Sequence, residues 1–387
     1  MSKKYSIFLT ALFCGFLGLF LIWHLALPDK DFSPNENRYL SQLPTPTFDF
    51  DLGDFLTSQP QTGTFFTGEF MEDFESYVND QFPLRDGWIG MKAACEKLSG
   101  KLSNNGVYFG TDGQMLIADY PEPDTRQVEK NLGYVSALGE KLEIPVYFSL
   151  IPGKTHVYSD LLPAGAPVGD QREIMDLASQ TPNVSWIELD GKRYGDWNRL
   201  LDYYNTDHHW TTHGAFNGYM ALMEGMGLEG RPLDTLTTVS EDFYGTTWSK
   251  AGAYWYPPDA IDIAVPEDGV TVTNNFTGTP TQGKLYNYDK LEQKDKYPFF
   301  LGGNQPLCVI DSEKDGARGK LLILRDSFSD TLAPFLTQNF AQVHLLDLRY
   351  YKASIAQYVV QNQIDQVLVL YSVDNFVSDS NLFVMGM

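Results

Sequence analysis

The chain opens on an almost unbroken apolar run, Tyr5 to Leu27, with Lys3 and Lys4 before it and Asp29, Lys30 and Asp31 after it. As a helix rising about 1.5 Å per residue, such a run spans the ~30 Å hydrocarbon core of a bilayer. Basic residues ahead of it and acidic or mixed ones behind it predict a cytoplasmic N-terminus, with everything after Pro28 outside. A cleaved signal peptide is the alternative. The run is long for one, and the exit His24-Leu25-Ala26-Leu27-Pro28 offers no small-x-small cleavage site.

Beyond the run, residues 28–60 are rich in Pro, Asp, Ser and Thr and predict an extended stalk. Residues 64–100 turn helical, with Phe70, Phe74, Tyr77 and Val78 on one side. Val107-Tyr108-Phe109 and Met115-Leu116-Ile117, joined by Gly110-Thr111-Asp112-Gly113, predict a β-hairpin. Val128, Leu132, Val135, Leu138 and Leu142 then recur at helical spacing, ahead of a strand at 146–151 and another at 186–189. The alternation resumes with Leu321-Leu322-Ile323-Leu324, an unbroken apolar run that suits a strand covered on both faces. Strands at 343–346 and 367–371 follow, with a helical stretch from Ile355 to Val360 between them. Residues 229–319, with clustered Gly, Pro, Thr and aromatic residues, predict a β-rich insertion.

The expected fold class is therefore α/β, a mainly parallel sheet flanked by helices, with ligands at the carboxyl ends of the strands. The expected organisation is a cytoplasmic stub at 1–4, a transmembrane anchor at 5–27, a stalk and helical membrane-proximal segment at 28–100, and a large domain at 101–387.

A net charge of −22 argues against nucleic acid and anionic lipid surfaces as partners, since both call for basic patches. Beyond the apolar run only Cys95 and Cys308 remain, enough for one disulfide and too few for a disulfide scaffold. The fold must rest on its core, which a 43% apolar composition can supply.

Two short segments carry candidate chemistry. In Thr206-Asp207-His208-His209-Trp210-Thr211-Thr212-His213-Gly214, an extended backbone would put Asp207 and His209 on one face, where a carboxylate can hold an imidazole in one tautomer. The helix that follows is expected to bury Ala215, Tyr219, Leu222, Met223 and Met226. Arg325-Asp326-Ser327-Phe328-Ser329-Asp330 directly follows the apolar strand, so Ser327 stands at a strand's carboxyl end and a helix start. There it is either an N-cap or a nucleophile beside free N–H groups. His209 and His213, spaced i, i+4, could instead be metal ligands, although no Cys or Glu completes a site. Weaker candidates are Asn304 for an oxyanion, and Arg349, Lys154, His208 and Trp210 for substrate. Phe243, Tyr244, Trp248, Tyr254, Trp255 and Tyr256 are core or sugar-stacking residues.

Thr206–Phe216 resembles the signature of the DHHW proteins, which are similar to the SGNH-hydrolase-like alginate O-acetyltransferases AlgJ and AlgX. The resemblance extends in matching order to Tyr77-x-x-Asp80-x-Phe82-Pro83-x-Arg85, Gly110-x-Asp112-Gly113, Ile151-Pro152-Gly153-Lys154 and Asp326-Ser327-Phe328-Ser329. Arg325 departs from it, standing where SGNH-type motifs often have Gly.

The resemblance implies a three-layer, flavodoxin-like SGNH domain with Ser327 as nucleophile, His209 as base and Asp207 as its orienter. His208 would point the other way. It further implies O-acylation, most readily O-acetylation, of a cell-surface or exported polysaccharide, without a cofactor. A multi-spanning membrane-bound O-acyltransferase would supply the acyl group. An esterase with the same triad, or a non-catalytic polysaccharide-binding or assembly protein on the same fold, are the alternatives.

Overall fold

The computed structural model describes residues 3–49, 63–189, 202–233, 235–275 and 278–387. They form two compact units, one of Met1–Gly100 with Gly252–Trp255, the other of Lys101–Ala251 with Tyr256–Met387.

In the first unit, helix α1 (Lys3–Ala26) is long and apolar enough to cross a membrane, and none of its residues is buried. The expected stalk is not simply extended, because Phe32–Ser33 and Arg38–Tyr39 pair antiparallel. Its later part, from residue 50, lies outside the described residues. Helices α2 (Glu69–Asp80) and α3 (Arg85–Leu98) follow. Arg38 grips the Asp80 carboxylate with both terminal nitrogens, at 2.8 and 2.5 Å, and holds its pKa well below the usual range. Arg85 pairs with Glu36. These ion pairs tie the 28–49 segment to the turn between α2 and α3, so the Asp80-x-Phe82-Pro83-x-Arg85 pattern has a structural use.

The second unit is built on one sheet of eight strands: β1 (Val146–Ile151), β2 (Ser185–Trp186), β3 (Val270–Asn274), β4 (Thr281–Gln282), β5 (Leu307–Ser312), β6 (Lys320–Arg325), β7 (Gln342–Leu346) and β8 (Gln366–Ser372). The spatial order is β4-β3-β5-β7-β6-β8-β1-β2. The strands from β7 to β2 run parallel, whereas β5, β3 and β4 continue the edge antiparallel.

The period-2 geometry of a strand explains the unbroken apolar runs. Leu321 and Ile323 of β6 pack on one side with α6 (Thr212–Gly225) and α7 (Ser329–Leu336). Leu322 and Leu324 face the other way, toward α4 (Thr125–Lys141), α5 (Gln171–Ser179), α8 (Ile355–Asn362) and α9 (Val373–Ser378). The result is three layers with the sheet in the middle.

The β-rich stretch 229–319 is joined to the main sheet, which β3, β4 and β5 extend. Their alternation is one-sided, with Val272, Cys308 and Ile310 entering the core. Among the described residues of this stretch, Thr237–Phe243 and Asp259–Ile263 pair as a separate two-stranded sheet. Cys95 and Cys308 are both free, Cys95 on an exposed helix face and Cys308 inside the sheet.

Candidate active site

Ser327 follows β6 at its carboxyl end, as the apolar run predicts. The turn that carries it is wired by Asp326. One carboxylate oxygen accepts from the Phe328 N–H at 3.1 Å, and the other accepts from the Ser372 N–H, the Ser372 hydroxyl and the Asn375 amide at 2.7–2.8 Å. The N–H groups of Ser329 and Asp330 bond back to the carbonyls of Asp326 and Ser327. The first N–H groups of α7 are thus spent inside the turn.

Arg325, where a glycine is commoner in the motif, is wholly buried. Its Nη1 donates to Asp330 at 2.6 Å, to Asn304 Oδ1 at 3.1 Å and to the Asp326 carbonyl at 3.3 Å. Burial pushes the Asp330 carboxyl up to about 6, while Arg325 pulls against it.

The Asp-x-His segment is not extended. Tyr203 and Trp210 form an antiparallel bridge, the Tyr204 N–H reaches the His209 carbonyl, and residues 204–209 make a bent loop closed at its neck. Asp207 and His209 meet because the Asp207 carboxylate bends back onto its own loop. Its Oδ1 accepts from the His209 N–H at 3.0 Å and lies 2.6 Å from His209 Nδ1. Its Oδ2 accepts from the Thr246 N–H and hydroxyl at 2.7 and 2.9 Å. Burial alone would raise this carboxyl, but the imidazoles of His208 and His209 and the Thr246 N–H hold it well below the ordinary range. Asp207 is therefore an anion with every lone-pair direction occupied.

His209 Nε2 lies 2.7 Å from Ser327 Oγ. The two segments, 118 residues apart, thus meet in one chain of contacts from Asp207 through His209 to Ser327. Trp210 spans the same gap, its Nε1 donating to the Phe328 carbonyl at 2.9 Å.

Other sequence candidates fall elsewhere. His208 does not point away: its ring lies 3.8 Å from that of His209 and its Nδ1 is 2.7 Å from the Thr246 hydroxyl. The bent loop removes the alternation that an extended strand would impose. Trp210 is fully buried, a strut rather than a substrate platform. Lys154 is also buried, donating to the Leu116 carbonyl at 2.8 Å and the Asn205 carbonyl at 3.3 Å. Arg349 closes a fork on Asp347 at 2.6–3.2 Å. Asn304 sits beneath the serine turn through Arg325. Phe243, Trp248 and Tyr256 are core, while Trp255 is exposed.

Asp207, His208 and His209 are clustered closely enough to hold a metal ion. Both ring nitrogens of His209 already face partners, however, and His213 turns to Asp202 at 2.7 Å. The i, i+4 histidine pair is thereby split between two partners.

Three contributors carried no signal in the sequence. Asp259 accepts from the N–H groups of Asn205 and Thr206 and from the Thr206 hydroxyl at 2.5–2.8 Å. Thr246 completes the shell of Asp207. Tyr297 stacks on His209. All three lie in or beside the 229–319 stretch, whose irregular pattern hides which residues turn inward.

A serine at a parallel strand's carboxyl end thus faces a buried Asp–His pair in a three-layer α/β unit. Residues 194–346 match the family model described as DHHW protein. No curated protein matches the chain. Among solved structures it is similar to a DHHW family protein from Eubacterium siraeum, with 23% identity and a TM-score of 0.59 over 73% of this chain and 95% of that one. It is also similar to Bacillus cereus PatB1 with a sulfonyl adduct, with 23% identity and a TM-score of 0.60 over 72% and 98%. The O-acetyltransferase domain of Pseudomonas putida AlgJ aligns at 16% identity and a TM-score of 0.45, over 71% and 93%.

Proposed function

We propose that the protein is a membrane-anchored, extracytoplasmic O-acyltransferase of SGNH type that acetylates a cell-surface or exported polysaccharide. The observation that carries this reading is the relay of 2.6 Å from Asp207 to His209 and 2.7 Å from His209 to Ser327.

In this reading Ser327 Oγ attacks the acyl carbonyl while His209 Nε2 takes its proton, and Asp207 holds the imidazole and stabilises its charged form. The proton passes to the leaving group as the acyl–serine ester forms. A sugar hydroxyl then gives its proton to His209, attacks the ester and leaves acylated, and Ser327 recovers its proton. Asn304, held near the turn by Arg325, is the candidate donor to the oxyanion. The helix α1 serves as an uncleaved anchor with the second unit outside the cell, and a multi-spanning acyltransferase is the acyl source.

The test is direct. A sulfonyl fluoride should modify Ser327 in the wild type and fail to do so in His209→Ala. Turnover of a chromogenic acetyl ester should fall at least about 10³-fold in Ser327→Ala and in His209→Ala, and the double variant should be scarcely worse than either. Added oligosaccharide should divert the acetyl group from water. Near-normal turnover in Ser327→Ala would end the acyl-serine reading.

A further inference from the structure

We propose that α3 and the turn before it lie in the interfacial layer of the bilayer, with Leu84, Trp88, Met91, Cys95 and Leu98 set against lipid. This rests on α1 being an uncleaved anchor, and is independent of the chemistry at Ser327.

Those five residues are spaced 4, 3, 4 and 3 apart, which lines them along one face of a helix. All are exposed, Leu84 at 60%, Met91 at 50% and Leu98 at 87%. The opposite face of α3 is already covered inside its own unit. Ala93 is buried there, a Cβ added at Gly90 would stand 3.3 Å from the Tyr254 ring, and the Lys97 ammonium lies over the Trp255 ring. The helix therefore has one apolar side packed on protein and a second with water as its neighbour. A continuous apolar stripe of this kind marks a contact surface.

Its near end is fixed against α1. The ring of Phe82 stacks on Phe20 with centres 5.4 Å apart, and Trp88 meets the same ring at 6.0 Å. Tyr77 meets His24 edge-on, and His24 Nδ1 is 3.2 Å from the Gln81 carbonyl. Phe20 stands six residues before the end of α1 at Ala26, about 9 Å along the axis. When α1 spans a bilayer, the turn from Phe82 to Leu84 thus sits below the level at which α1 emerges. That is the ~5–10 Å depth at which amphipathic helices lie.

The turn suits the position. Leu84 has a left-handed backbone, φ 58°, which puts an apolar side chain at the tip. Trp88 donates its indole N–H to the Pro83 carbonyl at 3.1 Å, so it takes no unpaired donor into lipid. Tryptophan is also favoured at this level. The bilayer is preferred to a second copy of the chain because the stripe begins where Trp88 meets Phe20 of α1, the proposed anchor. With a net charge of −22 the contact is apolar, so uncharged lipid suffices.

Cys95 is a native probe on the stripe. The full-length Cys14→Ala protein, reconstituted in phosphatidylcholine vesicles, is labelled with bimane at Cys95. Peptide mass analysis confirms that buried Cys308 is spared. The expected result is blue-shifted emission, quenching by lipids brominated along the acyl chain, and protection from aqueous iodide. Iodide quenching without bromolipid quenching would overturn the proposal, as would loss of α1 with release of the protein from the vesicles. Efficient Cys95–Cys95 linking by a short bismaleimide in dilute vesicles would assign the stripe to a second copy instead. None of these readouts depends on ester turnover, so failure of the acyl-transfer reading leaves the result unaffected.

Discussion

The phenol of Tyr297 lies flat on the imidazole of His209, with ring centres 3.7 Å apart and planes within 6°. Its hydroxyl donates to the Ser327 carbonyl at 2.9 Å and accepts from Thr331. Burial, with Asp330 nearby, holds that hydroxyl well above its ordinary pKa, so it stays a donor. One side chain thereby fixes both the ring of the proposed base and the backbone of the proposed nucleophile.

Tyr297→Phe should keep the stack and lose the hydrogen bond, at about 1 kcal/mol or roughly a 5-fold slower ester turnover. Tyr297→Leu also loses the electron-rich face beneath a ring that must become cationic, and should be slower by about 10- to 100-fold. Rates of sulfonyl fluoride labelling at Ser327 should follow the same order. Equal rates in wild type and Tyr297→Leu would reduce the stack to packing.

The loop bearing Asp207 is clamped by opposite charges. Lys154 holds the Asn205 carbonyl, while Asp259 holds the N–H groups of Asn205 and Thr206. Asp259→Ala removes the anchor of two buried N–H groups and leaves Lys154 with one fewer nearby anion. It should lower stability by about 2–4 kcal/mol and slow turnover, although Asp259 touches no member of the triad. Denaturant midpoints and kcat measured together check this, and unchanged values of both would refute the clamp.

Asp374 tests the electrostatics away from the site. Desolvation on its inner side, where Gln171 is a side-chain partner, pushes its carboxyl up to about 6, although the residue is exposed on its outer side. The folded state thus binds this proton more tightly than the unfolded chain, whose value is ~3.9. The resulting cost is absent below about pH 4, grows as pH rises to about 6, and is constant above. Asp374→Asn should match the wild type at pH 4 and be the more stable of the two at pH 7.5, by less than the full shift implies because water screens the exposed side of the carboxylate, read by denaturation at the two pH values. A gap that does not change with pH would contradict the assignment.

Much of the sheet is legible in the sequence because β6 and β8 are apolar at every inner position and too short for a buried helix, a pattern that suits a doubly covered strand. Strand β2 is shorter than the 186–189 run suggests: its ladder with β1 pairs Ser185 and Trp186, and Ile187 adds one N–H bond to the Phe148 carbonyl and accepts from the Ser149 hydroxyl. The sequence does not tie strands β3 and β5 to this sheet, because one-sided alternation looks the same in an isolated hairpin. At the site, Asp207, His209 and Ser327 stand out as chemical types next to punctuated elements. Their supports do not, since Asp259, Thr246 and Tyr297 are common residues that matter only through long-range contacts. The approach of Asp207 to His209 comes from side-chain-to-backbone bonding inside a bent loop, which i, i+2 spacing does not encode.

That loop leaves no room beside Asp207, and Gly245 is the place to test it. A Cβ built at Gly245 would stand 2.2 Å from Asp207 Cβ and 2.7 Å from its Cα, so backbone as well as side chain would have to move. The adjoining Thr246 supplies both hydrogen bonds to Asp207 Oδ2. Gly245→Ala should therefore displace the carboxylate and mimic Asp207→Ala in turnover while every triad residue is still present. Thr246→Ala removes the hydroxyl, with its contacts to Asp207 and His208, and keeps the N–H, so the turnover effect through Asp207 is bounded from above by about 1.5–3 kcal/mol, roughly 10- to 150-fold. Gly245→Ala should be the slower of the two, with far-ultraviolet circular dichroism unchanged in both. If Gly245→Ala turned over acetyl ester at the wild-type rate, the tight seating of Asp207 would have no part in catalysis.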